Sequence, residues 1–177
     1  MQQKRVIEVD EDLTPLWPAG FGAWIRIGRV YQSTYRLLGE RLKTLGISVA
    51  QFDALANLYV GDGIRQQELA SRLLVTKGNV TGLVNRLVDR GWVERQPDPD
   101  DGRAHRVVLT RRGRSLAKKA LRVQRGVVDE MMGALSQAQR ETLRSTLTEL
   151  TNRLDTMSGT LKPGAKSGNL PSDEEQT

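Results

Sequence analysis

The stretch DPDDGRAHRVVLT (98–110) crowds three aspartates and two arginines ahead of an apolar, β-prone run that ends in threonine. Three readings compete for it: a calcium loop, an ordinary surface turn, or the tip of a hairpin that reaches a partner. An EF-hand loop needs oxygen ligands at positions 1, 3 and 5, Gly at 6 and Glu at 12. Counted from Asp98, position 5 is Gly102, position 6 is Arg103 and position 12 is Leu109. The calcium pattern fails where it matters.

The flanks favour a hairpin. Residues 92–96 and 104–109 read as strands around the Asp-, Pro- and Gly-rich turn 97–102. Asp101 and Arg103 then sit at the tip, where the carboxylate can orient the guanidinium before binding and so lower its ordering cost. The competing reading is a surface turn holding a weak ion pair.

Outward from the hairpin the pattern is helical. Val80, Leu83, Val84 and Leu87 follow the i, i+3, i+4, i+7 spacing of one buried helix face. Thr76 is the expected cap of this helix over 77–90, and Gly91 its stop. A short helix over 66–73 carries Leu69 and Leu73. Ser48 and Gln51 form a capping box ahead of a helix that presents Phe52, Leu55, Leu58 and Tyr59. Gly61 to Gly63 breaks it. Tyr31, Tyr35, Leu38, Leu42 and Leu45 make a +4, +3 stripe on a helix over 21–45, which Gly46 ends. Thr110 caps a helix to about Leu135. Ser136 and Gln139 form a second capping box. The last helix carries Leu143, Leu147, Leu150, Leu154 and Met157 at the same +4, +3 spacing. Each of the two stripes needs an apolar partner, either within the chain or on a second copy.

The expected architecture is mainly α with a small β-hairpin wing: a winged helix-turn-helix with N- and C-terminal dimerisation helices. The domain reading is an arm over 1–20, a first dimerisation helix over 21–47, and a DNA-binding domain over 48–110. Further dimerisation helices occupy 111–157. A tail over 158–177 is too polar to order itself.

Composition narrows the function. The 177 residues include no cysteine and one histidine, His105. Disulfides, thiol chemistry, Cys zinc sites and His cages are excluded. No catalytic residue, metal or cofactor is expected, because no phosphate-binding Gly loop or nucleophile–base pair stands out. No apolar run approaches the ~20 residues that span a bilayer, and the start lacks a secretory h-region. A soluble cytoplasmic protein without membrane contact is the expectation. The net charge is +6, and nine Lys/Arg with no acid lie between Gly102 and Val128. Such a block suits a polyanion or is a solvated basic face.

The run LLVTKGNVTGLVNRLVDRGWVERQPDPDDGRAHRVVLTRRG (73–113) resembles the MarR family of bacterial transcription regulators. The matching features are Val80-Thr81, the Leu83-Val-Asn-Arg-Leu87 run, Gly91-Trp-Val-Glu-Arg95, the Asp101-Gly-Arg103 tip and Leu109-Thr-x-x-Gly113. The likeness extends more loosely over 23–155. It implies a homodimer built from first and last helices, presenting two lobes to a pseudo-palindromic operator in double-stranded DNA.

On that reading, Thr76, Lys77 and Asn79 meet phosphates or base edges at a helix N-terminus. Asn85 pairs with adenine and Thr81 touches a thymine methyl. The resemblance gives Arg86 a phosphate. Gly78 and Gly82 lie on the outward face, where each costs roughly 1 kcal/mol relative to Ala. Close backbone approach to DNA is one reason for them and tolerated drift the other. Arg103 enters the minor groove, where a narrow width enhances the negative potential, and Asp101 holds it. His105 and Arg106 are second choices, and Arg111, Arg112 and Arg114 add phosphate contacts or only field.

The resemblance also implies release by a small, often aromatic, effector. Trp24, Tyr31 and Tyr35, with Arg26 and Arg29, lie on the helix that would line its pocket, although aromatics at helical spacing are commonly core. The rival function is a winged-helix protein–protein module without sequence-specific DNA binding. RNA is disfavoured by the lack of aromatic stacking platforms among the basic residues.

Overall fold

A computed structural model describes residues 17–159 except 62, 74–76 and 102–103, and gives backbone alone for 77–79. The arm up to residue 16 and the tail from residue 160, like Thr76 and Arg103, therefore lie outside the described residues. The chain divides into two compact units, one ending at Val127 and one beginning at Val128.

The first unit begins with α1 (Phe21–Leu42), closed by a single 3-10 turn, Lys43–Leu45. Gly46 follows with φ 69°, the left-handed conformation that terminates the helix without a Cβ clash. Next come α2 (Val49–Val60), β1 (Ile64–Arg65), α3 (Gln66–Arg72) and α4 (Lys77–Asp89). The chain continues as β2 (Val93–Pro97), β3 (His105–Leu109) and α5 (Arg111–Met132). Both halves of the Ser48–Gln51 capping box are formed.

The expected helix-turn-helix and hairpin are present, with one addition. The sheet has three antiparallel strands in the order β1-β3-β2. Ile64 pairs with Val107, and Val93 with Leu109. β1 has only two residues, too few to show an alternation, so the 61–65 region reads in sequence only as a helix break.

The core lies where α2, α3, α4 and the sheet meet. Phe52, Leu55, Leu58, Leu69, Val80, Val84, Leu87, Val93 and Val107 are all fully or almost fully buried. The four predicted inward residues of α4 belong to it. Burial of each such side chain stabilises by roughly 1.5–3 kcal/mol. On α1 the predicted stripe divides. Leu38 and Leu42 enter this core, whereas Tyr31 stays 64% exposed.

The wing is closed at its root by Thr110 and Gly113. The Thr110 backbone N–H donates to the Trp92 carbonyl at 3.1 Å. Its hydroxyl donates to the Gly91 carbonyl at 2.8 Å and accepts from the Gly113 N–H at 3.0 Å, capping α5. The first turn of α5 therefore lies directly on Trp92. A Cβ at Gly113 would stand 1.7 Å from the Trp92 carbonyl oxygen and 2.7 Å from its carbon.

The second unit holds the end of α5 and then α6 (Gln137–Met157), which opens with the complete Ser136–Gln139 capping box. Leu143, Leu147, Leu150, Leu154 and Met157 are all exposed, rising from 36% to 69% along the helix.

Gly113→Ala is expected to destabilise the protein by about 3 kcal/mol or more, because backbone rather than a flexible side chain must move. Urea denaturation with an unchanged m-value checks this. A loss under 1 kcal/mol would mean that the root of the wing is pliable.

Candidate DNA-reading surface

The outward face of α4 follows from its buried one. With Val80, Leu83, Val84 and Leu87 turned inward, Thr81, Asn85, Arg86 and Asp89 are exposed. Two neighbouring elements tie this face down. Gln66, at the start of α3, donates through Nε2 to the Thr81 hydroxyl at 2.9 Å. Arg95, on β2, donates through Nη2 to Asn85 Oδ1 at 2.6 Å, and the same nitrogen lies 3.5 Å from Gln66 Oε1. Thr81 and Asn85 are thus brought together as expected. Gln66 and Arg95, which join them, give no sequence signal beyond being polar.

The acidic turn has a use that its sequence did not show. Asp98 is the buried polar residue of the described chain, at 3% exposure. Its Oδ2 accepts from Arg65 Nε at 2.6 Å and from Arg106 Nε at 3.1 Å. Its Oδ1 accepts from the Asp100 backbone N–H at 2.9 Å. Arg106 also donates to Asp100 Oδ2 at 3.1 Å and to the Gly63 carbonyl at 3.4 Å. The Arg65 guanidinium beside it, seconded by the turn N–H and Arg106, holds the Asp98 carboxyl well below the usual carboxylate range against the opposing effect of burial. The network pins β1 and the turn to β3. It also draws Arg106 back into the wing, while His105 stays exposed on β3. Asp101 is exposed, and its carbonyl accepts from the Ala104 N–H at 2.8 Å.

The aromatics of α1 form a run along one exposed face. Trp17 stacks on Phe21 with ring centroids 4.0 Å apart, and Tyr31 lies 5.4 Å from Tyr35. Tyr35 donates its hydroxyl to Asp53 Oδ2 at 2.7 Å. Burial, with Asp53 adding to it, pushes the Tyr35 hydroxyl up, and burial pushes the Asp53 carboxyl up despite that bond. Trp24 is 65% exposed.

This architecture can be set beside known proteins. A model of the MarR family matches residues 45–104. The multiple antibiotic resistance protein MarR of Escherichia coli is 39% identical over 103 residues, covering 56% of this chain and 72% of that one. The chain belongs to the MarR family. The transcriptional repressor MprA of E. coli is 30% identical over 120 residues, 67% of this chain and 68% of that protein. Apo E. coli MarR superposes with a TM-score of 0.65 at 32% identity, covering 76% of this chain and 97% of that one. A cysteine-to-serine variant of the same protein complexed with operator DNA gives 0.65 at 31% identity over 81% and 98%.

The protein is therefore a MarR-family transcriptional regulator with the winged helix-turn-helix fold. Among the described residues, no helix is long and apolar enough to cross a membrane, and no group of three or more His, Cys, Asp or Glu side chains is placed to hold a metal.

Within such a regulator the glycines of α4 acquire a measurable meaning. A Cβ at Gly82 meets only the flexible end of Arg86, at 3.5 Å. Among the described residues nothing requires glycine there, yet glycine costs helix stability. Gly82→Ala is expected to raise stability by about 1 kcal/mol and to weaken DNA binding through the added methyl. If calorimetry shows the gain and DNA affinity does not change, close approach is not the reason for this glycine.

Asp98 supplies a pH test. Its folded pKa is depressed, so its contribution is complete well above the ordinary carboxylate value of about 4. The contribution is lost as pH falls through that value toward the folded one. Asp53 is shifted the other way and stabilises at low pH. Subtracting the Asp98→Asn variant from wild type cancels Asp53. The difference in unfolding free energy is expected to be flat above pH 6 and to shrink steadily below pH 4. A difference independent of pH would show that the Asp98 charge is not what holds the wing.

Proposed function

We propose that the protein is a homodimeric, sequence-specific DNA-binding repressor released by a small, aromatic ligand. The observation that carries the DNA reading is the face of α4. It is a polar, exposed strip of Thr81, Asn85 and Arg86, backed by a fully packed inner face and flanked by the wing. In a winged helix-turn-helix this helix enters the major groove. Lys77, Gly78 and Asn79 open that helix, with Thr76 just before it, and supply phosphate or base-edge contacts. Arg103 at the wing tip is the minor-groove residue, oriented by Asp101. The operator complex of the E. coli relative supports DNA as the partner.

Homodimerisation is supported by the apolar side chains that α1 and α6 leave exposed. In water the leucine series of α6 and the exposed Trp24, Ile27, Val30, Tyr31 and Leu37 of α1 leave much apolar surface uncovered. Exposed apolar surface on this scale, on each helix taken by itself, marks an interaction site. The terminal regions 21–47 and 111–157 are assigned to the dimer and 48–110 to DNA. Trp24, Tyr31 and Tyr35 are the candidates for effector contact, on the part of α1 that leaves the DNA-binding core.

Selection from random duplexes at two salt concentrations tests this reading. A palindrome with half-sites about 10 base pairs apart is expected from a two-fold dimer. Affinity is expected to fall by roughly 10³ or more between 50 and 200 mM salt if six or more phosphates are neutralised. Arg103→Ala is expected to weaken operator binding about tenfold, the loss of one charge-assisted contact. Absence of any enriched sequence, with salt-independent binding, would refute the reading.

A further inference from the structure

The bridge between the wing and α4 bears on which base is read. We propose that Arg95, a residue of β2, sets the base preference of Asn85, so that this position selects the acceptor edge of guanine over adenine. The inference rests on α4 being the helix that enters the groove.

A guanidinium carries only donors. The atom of Asn85 that faces Arg95 Nη2 at 2.6 Å is therefore the amide oxygen, and the Asn85 NH₂ is turned away from Arg95. Paired recognition of adenine uses both ends of an amide: the oxygen accepts from N6 and the nitrogen donates to N7. Here the oxygen already serves a cation. It keeps a second lone pair, but a positive charge draws on the first and repels the positively polarised N6 hydrogens of adenine. Guanine offers two acceptors, O6 and N7, at the same edge. An amide NH₂ beside a guanidinium suits that edge and opposes adenine.

The arrangement is braced from a third element. Gln66 on α3 places its Oε1 3.5 Å from the same Arg95 nitrogen and its Nε2 on Thr81. The guanidinium is thus flanked by oxygens from α3 and α4 while its stem belongs to the wing. A wing residue acts on the readout of α4 without having to touch the base, which makes Arg95 a positioning residue for Asn85.

The test is a duplex selection repeated with wild type, Asn85→Ala and Arg95→Met. Both side chains are exposed, so the core is intact in either variant, and thermal melting verifies folding. The operator position whose preference disappears in Asn85→Ala is the one that Asn85 reads. At that position wild type is expected to favour guanine over adenine by roughly five- to hundredfold. Arg95→Met is expected to narrow or invert that preference there while leaving the rest of the operator unchanged. Substituting 7-deazaguanine at the same position is expected to weaken wild type and not Asn85→Ala. A wild-type preference for adenine overturns the proposal. So does an Arg95→Met variant that loses affinity for all sequences alike and keeps the guanine preference. If Asn85→Ala alters no position while an operator is still selected, Asn85 reads no base and the proposal fails with the DNA reading intact. If wild type selects no operator, the underlying reading fails as well.

Discussion

The wing depends on a place where the chain lies against itself with no room for a carbon atom. It leaves α4 at Gly91, runs out along β2 and returns along β3, and α5 then begins against the carbonyl of Trp92. Only glycine at position 113 lets that happen. Thr110 completes the joint by bonding to the Gly91 and Trp92 carbonyls at the exit from α4 and by capping the new helix. The joint fixes the root of the hairpin relative to α4 and relative to the start of α5. Without it, β2 and β3 could remain paired while their angle to α4 drifted. On the proposed reading, α4 and the wing have to reach DNA together, so that angle matters more to function than the pairing does.

Further out, electrostatics takes over from packing. A two-stranded ribbon is marginal in water by itself. β1 adds a third strand, but only with two residues, and its grip is strengthened by Arg65 on Asp98. The carboxylate costs desolvation to bury. It is tolerated because two guanidiniums and a backbone N–H satisfy its oxygens. The same network retains Arg106. Within the turn, Asp98 therefore serves the fold.

How much of this was legible depends on sequence distance. The buried face of α4, both capping boxes, and the stops at Gly46 and Gly91 are local patterns and appear as predicted. So does the hairpin, because its turn chemistry is written into 97–102. The Arg65 contact was not visible, since its partner lies 33 residues away and nothing marks one arginine among many. β1 was missed because two residues carry no period. The α1 stripe was read as one surface, but Leu38 and Leu42 pack within the chain and Tyr31 does not. Periodicity reports that a face is apolar, not which neighbour covers it. The outward face of α4 was foreseeable from the helix wheel. The hydrogen bonds that orient Asn85 were not, because they come from β2 and α3.

The basic block after Gly102 raises the remaining physical question, which is why α5 begins as it does. A helix N-terminus carries partial positive charge and favours acids in its first turn. The first turn of α5 has none, and it begins with Arg111 and Arg112. Neither forms an ion pair with another described residue, and the same is true of Lys118, Lys119 and Arg122. Each cation in that first turn opposes the helix by a few tenths of a kcal/mol, and the Thr110 cap offsets part of the cost. Uncompensated positive charge still acts at a distance. It raises the local potential and so the rate at which a polyanion is captured, an effect screened beyond about 10 Å at 0.1 M salt. On the proposed reading, contacts from α4 and the wing discriminate between sequences, whereas a field treats all DNA alike. In a DNA-binding regulator, a helix that is locally unfavourable in its own first turn makes sense as a source of that field.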